Sequence, residues 1–274
     1  MNAEIAMWRL SVIVPVYNEE NLLAHSIGRL RRVPIDIEII AVEDCSTDSS
    51  RAILVQMKRE GLIDTLVLQD RNQGKGAAIR AGIPHATGAV TVVQDADLEY
   101  DPNELPTLME PIMDGRADAV FGSRFLGSPR RVLYFWHRVG NGVLTLLSNM
   151  FTNVNLTDME TCYKMVRTDL LQGLPLLSNR FGIEPELIAR LAQADARIYE
   201  VPISYSGRTY AEGKKISWRD GVAALWHIFR YNVLSPKARR FVPRPVAARP
   251  SPPLPRAITE TVLQTTASNG ASGG

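Results

Sequence analysis

LSVIVPVY (10–17) is a near-continuous run of apolar, largely β-branched residues that stops on the polar pair Asn18-Glu19. A half-buried strand alternates apolar and polar positions, whereas a run apolar on both faces fits a strand covered on both sides, as in parallel sheets. The same rhythm recurs outward from it: IEIIAVED ending at Asp44, TLVLQ (65–69), AVTVVQD (89–95) and AVFGS (119–123). Segments of helical length separate these runs, so the first half reads as repeated βα units and the fold class as α/β.

After about residue 130 the rhythm changes. RVLYFWHRVGNGVLTLLSNMF reads as an apolar-rich helix, ETCYKMVR as a strand, EPELIARLAQAD as a helix, RIYEVPISY as a strand, and SWRDGVAALWHIFRYNVL as a final helix. The body is expected to span 1–234, with a first half at about 9–129 and a second at about 130–234. From Ser235 the chain turns to SPKARRFVPRPVAARPSPPLPR and a Ser/Thr/Ala/Gly tail. Proline at that density removes backbone donors, so 235–274 is expected to be largely disordered.

At 274 residues and 45% hydrophobic content the chain can bury a full core. The net charge of +2 is divided unevenly, because residues 1–129 carry 12 Lys/Arg against 19 Asp/Glu and residues 130–274 carry 19 against 10. An acidic half suits metal or polar-substrate chemistry, and a basic half suits phosphates or anionic lipid. Nucleic acid fits less well, since no nucleic-acid motif is present and five of the basic half's fifteen arginines fall in the Pro-rich tail. Cys45 and Cys162 have no C-x-x-C spacing, and the four histidines (His25, His85, His137, His227) have no paired metal spacing. A reducing, cytoplasmic setting is expected. The N-terminus lacks a signal-peptide pattern and no apolar run is long enough to span a bilayer, so any membrane association is expected to be peripheral.

In open parallel sheets the ligand crevice lies beyond the carboxyl ends of the strands. Three acidic groups fall there: Glu19, then Glu43-Asp44, then Asp95, Asp97 and Glu99 in DADLE. Carboxylates on one edge repel unless a cation or hydrogen-bond donors offset them. A hard divalent cation, Mg²⁺ or Mn²⁺, would do so through Asp95, Asp97 and Glu99, its shell completed by substrate phosphates. A lone D-x-D is as often a solvated turn; its place after an apolar strand, opposite two other acidic ends, favours the metal. Asn72-Gln73-Gly74-Lys75-Gly76 opens a helix, where free N–H groups favour anions. It lacks Walker A spacing, and no G-x-G-x-x-G follows a strand.

Taken together, PVYNE (15–19), VEDCSTD (42–48), NQGKG (72–76), DADLE (95–99) and GSRF (122–125) resemble family 2 glycosyltransferases with the GT-A fold, most closely the dolichyl-phosphate mannose and glucose synthase group. The resemblance covers about residues 9–232. It implies a mostly parallel sheet flanked by helices, a nucleotide-sugar donor, and inversion at the transferred sugar. Pro15, Tyr17 and Glu19 would line the nucleoside, Asp44 would bond base or ribose, and Lys75 would belong to the donor site. Asp95 and Asp97 would be the D-x-D pair, with Glu99 where the group often has Gln. Arg124 would neutralise a phosphate, and Arg208 and Lys214 would close over the diphosphate. Two departures stand out: Glu43 replaces the usual first Asp of D-D-G-S-x-D, and Cys45 replaces its Gly. If that Gly takes positive φ, Cys45 requires an altered turn.

The acceptor decides whether a base is needed. A hydroxyl must lose a proton, which Asp158 or Glu160 could take, two apart and on one face if they lie in a strand. A polyprenyl or dolichyl phosphate is already anionic and needs cations such as Arg131 and Arg138. These basic residues accompany Tyr134, Phe135 and Trp136, which read as a membrane-interface helix or lipid-groove wall, against the plainer reading of a core helix with basic ends. The final helix, with Trp218, Trp226, Phe229 and Tyr231, is followed by Lys237, Arg239, Arg240, Arg244 and Arg249, and such a polybasic segment gains about 1 kcal/mol per residue at an anionic leaflet. The rival readings are transfer to a hydroxyl and a non-catalytic nucleotide-sugar-binding module at the membrane.

Overall fold

The apolar runs fold as strands β1 (Leu10–Val16), β2 (Ile37–Glu43), β3 (Thr65–Leu68), β4 (Val90–Val93), β5 (Ala119–Ser123), β6 (Lys164–Arg167) and β7 (Ile198–Pro202). Between and after them lie α1 (Leu23–Arg32), α2 (Ser50–Arg59), α3 (Lys75–Gly82), α4 (Leu105–Met113), α5 (Phe135–Thr152), α6 (Thr168–Gly173), α7 (Ile183–Gln193) and α8 (Trp218–Phe229). The computed structural model describes residues 8–127, 131–132, 134–207 and 218–242, of which 218–220 are described as backbone alone.

The described strands form one sheet in the order β3-β2-β1-β4-β6-β5-β7. β1 pairs in parallel with β2 on one side (Leu10↔Ile37) and β4 on the other (Leu10↔Val90). β2–β3 and β5–β7 are also parallel. β6 alone runs antiparallel, inserted between β4 (Val90↔Arg167) and β5 (Ala119↔Val166). The sheet is therefore mostly parallel, as the β-branched runs imply, with one reversed strand whose direction periodicity could not reveal. Because chain order reverses at β1, the crevice opens where β1, β2 and β4 end.

Burial follows the pattern that made the strands readable. β2 is buried along its whole length, and so are Val12, Ile13 and Val14 of β1. α1 covers the sheet with Leu23, Ile27 and Leu30, spaced for one helical face, and ends in Arg29, Arg31 and Arg32, which suit its C-terminal dipole.

The packed body does not stop at Leu234. A π-helical turn (Arg230–Leu234) closes α8, and residues 235–242 then lie against α7. Phe241 N–H donates to Ala194 O at 2.8 Å, Ala238 N–H donates to Gln193 Oε1 at 2.9 Å, and the buried Arg190 donates to Pro236 O. Arg167 covers the Phe241 ring at 5.5 Å. Pro236 lacks a donor but still supplies a carbonyl, and Arg190 uses it. The expected disordered tail thus gives way to packed chain over 235–242, while 243–274 lies outside the described residues.

Ending the chain after Leu234 rather than Val242 is expected to strip a buried guanidinium of a partner, at a cost of about 1–3 kcal/mol. Thermal unfolding of the two chains should differ by about 2–4 °C per kcal/mol lost, and identical Tm values would show that 235–242 contributes nothing.

Candidate functional site

The strand ends are stitched together by side chains reaching backbone N–H groups. Beyond β1, Asn18 takes a left-handed φ of 54°, which Asn tolerates. Its Oδ1 accepts from Thr47 N–H at 2.8 Å, and Glu19 N–H donates to Ser50 Oγ at 2.9 Å. Tyr17 is exposed beside this seam, with Pro15 and Glu19 half-buried. Beyond β2, Glu43 is wholly buried, accepting from Arg51 Nε at 2.5 Å and from Ser46 N–H. Asp44 is also buried, and its two oxygens accept from Gln73 N–H (2.8 Å) and Gly74 N–H (2.7 Å). That carboxylate ties β2 to the start of α3. Cys45 adopts φ 57°, so the turn survives without its glycine and a side-chain-bearing residue carries the left-handed strain, about 1–2 kcal/mol.

Gly74 is held from the other side. A Cβ there would stand 2.7 Å from Asn179 O, and one at Gly76 would stand 2.5 Å from Ser178 O. Ala77 N–H donates to Asn179 O at 3.0 Å. The α3 start is thus pinned between Asp44 and the 178–180 backbone, which delivers Lys75 to the end of β4. Lys75 Nζ donates to Asp95 Oδ2 at 2.8 Å and lies 3.4 Å from Glu184 Oε1. Burial alone would lower the Lys75 pKa, but the charges around it, Asp95 foremost, push it well above the usual value. It is a fixed cation.

Asp95, Asp97 and Glu99 do not form the expected three-carboxylate cage. Among the described residues no three His, Cys, Asp or Glu side chains group as a metal site. Each acid has a different neighbour: Asp95 has Lys75, Asp97 Oδ1 accepts Glu99 N–H at 3.2 Å, and Glu99 Oε2 accepts the Tyr205 hydroxyl at 2.8 Å. Leu98 at φ 65° turns the chain between the latter two. Hard oxygens on a half-buried edge fit a Mg²⁺ or Mn²⁺ held by one or two carboxylates and the phosphates of a ligand.

Asp158 and Glu160 do not share a strand face. They sit in the turn before β6, on either side of the buried Met159. Asp158 is wholly buried against Arg124, with Nε–Oδ2 2.6 Å and Nη2–Oδ1 2.7 Å, and also accepts from Asn141 at 3.2 Å. Burial would raise its pKa, but the Arg124 charge and hydrogen bonds hold it below the usual carboxylate value, so Asp158 is a poor base. Removing one partner of such a pair costs about 3–5 kcal/mol. Glu160 is the opposite case. Its Oε1 is buried without a hydrogen bond, and burial, with Glu184 next, pushes its pKa up to about 7.

Around Arg124 the Tyr205 ring lies 4.9 Å away. Arg131 N–H donates to Tyr205 O at 2.9 Å, and Arg138 stacks on Phe125 at 3.8 Å. Arg124, Arg131 and Arg138 are thereby gathered at one end of the crevice. Arg208 and Lys214 lie outside the described residues. Sequence reasoning missed Lys164, Glu184 and Tyr205. Glu184 accepts from Lys164 at 2.6 Å beneath Lys75, yet its only sequence signal is an acid in the first turn of a helix, a commonplace of capping.

A family model described as Glycosyl transferase family 2 matches residues 11–174. The chain is 27% identical to the dodecaprenyl-phosphate galacturonate synthase of Rhizobium johnstonii over 78% of this chain and 63% of that one. It is 29% identical to the undecaprenyl-phosphate mannosyltransferase of Micrococcus luteus over 81% and 98%. The chain therefore spans a little under two thirds of the first relative and nearly all of the second. The glucosyl-3-phosphoglycerate synthase of Mycobacterium tuberculosis, crystallised with Mn²⁺, UDP and glucosyl-3-phosphoglycerate, shares the fold at TM-score 0.61 and 19% identity, covering 84% of this chain and 82% of that one. The α/β expectation is thus met as the GT-A fold.

Because the folded-state pKa of Glu160 is raised, its stability contribution is largest at acid pH and is lost as pH rises through about 7. Glu160→Gln, which stays neutral, is expected to unfold near the parent temperature at pH 5 and above it at pH 8. A pH-independent difference between the two would refute the assignment.

Proposed function

The chain belongs to glycosyl transferase family 2, and we propose that it transfers a sugar, with inversion, from a UDP- or GDP-linked donor to a polyprenyl or dolichyl phosphate at an anionic, cytoplasmic membrane face. One observation carries the acceptor half of this reading. Trp136, Val139, Val143, Leu146 and Met150 recur every three or four residues along α5 and are 76%, 38%, 49%, 60% and 71% exposed. A buried helix turns such a stripe inward. α8 and its π-turn add Val222, Trp226, Phe229 and Val233, joined to α5 through Phe151 and Phe229 at 6.3 Å. Two neighbouring apolar stripes suit immersion in the headgroup region, as an interfacial helix does. Among the described residues no helix is long and apolar enough to cross a membrane.

In this reading Pro15, Tyr17 and Glu19 line the nucleoside. Asp44 holds the 73–74 backbone and, having a second lone pair on each oxygen, can also meet the base or ribose. Lys75 shares its charge between Asp95 and the donor diphosphate. Asp95 and Asp97 would hold a divalent cation, which would supply Lewis-acid neutralisation of the departing diphosphate. Arg124, its plane fixed by Asp158, faces the developing charge without having to reorganise. Arg131 and Arg138 position the acceptor phosphate, and Arg208 and Lys214 close over the donor. A phosphate nucleophile is already anionic and requires no base, which agrees with an Asp158 committed to Arg124.

The unpartnered Glu160 favours the hydroxyl-acceptor alternative, since a carboxyl with a pKa of about 7 is tuned for proton abstraction. The acceptors separate by experiment. The full chain is incubated with Mg²⁺ or Mn²⁺, UDP- and GDP-sugars, and polyprenyl phosphate in vesicles, and a charged glycolipid should form. Asp97→Ala should lower turnover by about 10²–10³-fold or more, and undiminished turnover would remove Asp97 from the site. Glu160→Gln should leave kcat within a few-fold, whereas a base lost from a hydroxyl acceptor costs about 10²–10⁴-fold.

A further inference from the structure

Beside the α3 start lies a cavity of about 600 Å³ that is lined by none of the side chains assigned above to the donor or the acceptor. Three segments distant in sequence build it: the 71–73 loop, the 177–180 loop, and α8 with its π-turn. Each contributes one arginine, namely Arg71, Arg180 and Arg230, and among the described residues no carboxylate lines the walls. Among the described residues none of the three arginines has an ion pair, unlike Arg51, Arg124 and Arg197, which each hold an acid within 2.9 Å. Three unpaired guanidiniums around one space repel, an arrangement that an anion between them reverses.

Apart from Leu177 and the Tyr231 ring the remaining lining is polar, and it is in part fixed. His227 stacks on Tyr231 (centroids 5.7 Å apart, planes at 8°), and its Nδ1 is buried without a hydrogen-bond partner. Gly182 leaves room for that ring, since a Cβ there would come within 2.6 Å of it. Asn179 is braced by Arg80 at 2.5 Å. The volume lies in the range of small-molecule sites, and guanidinium forks suit phosphate oxygens.

From this cluster we propose that the cavity is a second anion site, separate from the donor crevice, binding a phosphate-bearing group through Arg71, Arg180 and Arg230. Two sources share this chemistry. A soluble phosphate compound could enter from solvent, or a lipid headgroup could enter along α8, whose Trp226 and Phe229 are exposed beside His227 and Arg230. The site abuts the donor loop, because Gln73 lines the cavity while its N–H is held by Asp44.

The test is calorimetric titration of the full chain with inorganic pyrophosphate in EDTA, repeated on Arg71→Gln/Arg230→Gln, on Arg180→Gln alone, and on Lys75→Met. The first two variants change exposed side chains, and unfolding curves matching the parent confirm that they fold. Binding should weaken by about tenfold or more per arginine removed, as charge-assisted hydrogen bonds imply, and should persist in Lys75→Met. Unchanged affinity in the arginine variants, or loss of all binding in Lys75→Met, would overturn the second site. Co-sedimentation with phosphatidylcholine vesicles, with and without phosphatidic acid, then separates the sources. Phosphatidic-acid-dependent binding that pyrophosphate competes away and Arg230→Gln removes identifies a headgroup; pyrophosphate binding without it identifies a soluble ligand. Either result supports the site. Because no sugar transfer is measured, failure here leaves the proposed transferase activity standing, and the reverse also holds.

Discussion

The buried carboxylate of Asp44 is the constraint on which the crevice depends. It stands at the end of β2 and spends one oxygen on Gln73 N–H and the other on Gly74 N–H. The second of these is the N-cap amide of α3, which the helix itself leaves without a partner. Fixing them sets where α3 begins, hence where Lys75 stands and which acid it meets. Without that tie the D-x-D acids at the end of β4 would face one another without a fixed cation. Across the crevice Asp158 does a similar service for Arg124, binding its guanidinium in two places and Asn141 of α5 in a third. Two buried acids orient two cations from opposite sides.

Much of this was legible in the sequence because its signals are local. A strand covered on both faces betrays itself by an unbroken β-branched run, and the polar residues that end it mark the crevice. Tyr17, Glu19, Asp44 and Asp95 all lie just beyond the ends of such runs. What was not legible depends on partners distant in the chain. That Asp158 would be consumed by Arg124 and Glu160 left without a partner follows from how the turn before β6 packs, with Met159 in the core and its N–H on Thr145. Nothing in the spacing of two acids distinguishes that turn from a strand. The antiparallel direction of β6 is likewise a matter of connection, not of composition. The packing of 235–242 was not legible because proline density argues against helix and sheet but not against an irregular strap that lends a carbonyl to Arg190 of α7.

The two apolar stripes and the polar crevice also explain the uneven charge of the chain. The acids crowd the strand ends of the first half, where donor chemistry is proposed. The second half combines arginines with exposed aromatic and aliphatic side chains, a pairing that suits the boundary between water and lipid.

The close approach of Gly74 and Gly76 to the backbone at 178–180 has a consequence for how such a chain can vary. A larger residue at either glycine meets a carbonyl oxygen first, which cannot swing aside as the Arg180 side chain beside Gly74 can, so it is accommodated only by shifting the loop that leads into α7. That loop also presents Arg180 and is held by the carboxylate of Glu186 through Leu177 N–H and Ser178 N–H. Segments about a hundred residues apart are therefore not free to drift independently. A change at one that keeps function should be accompanied by a compensating change at the other.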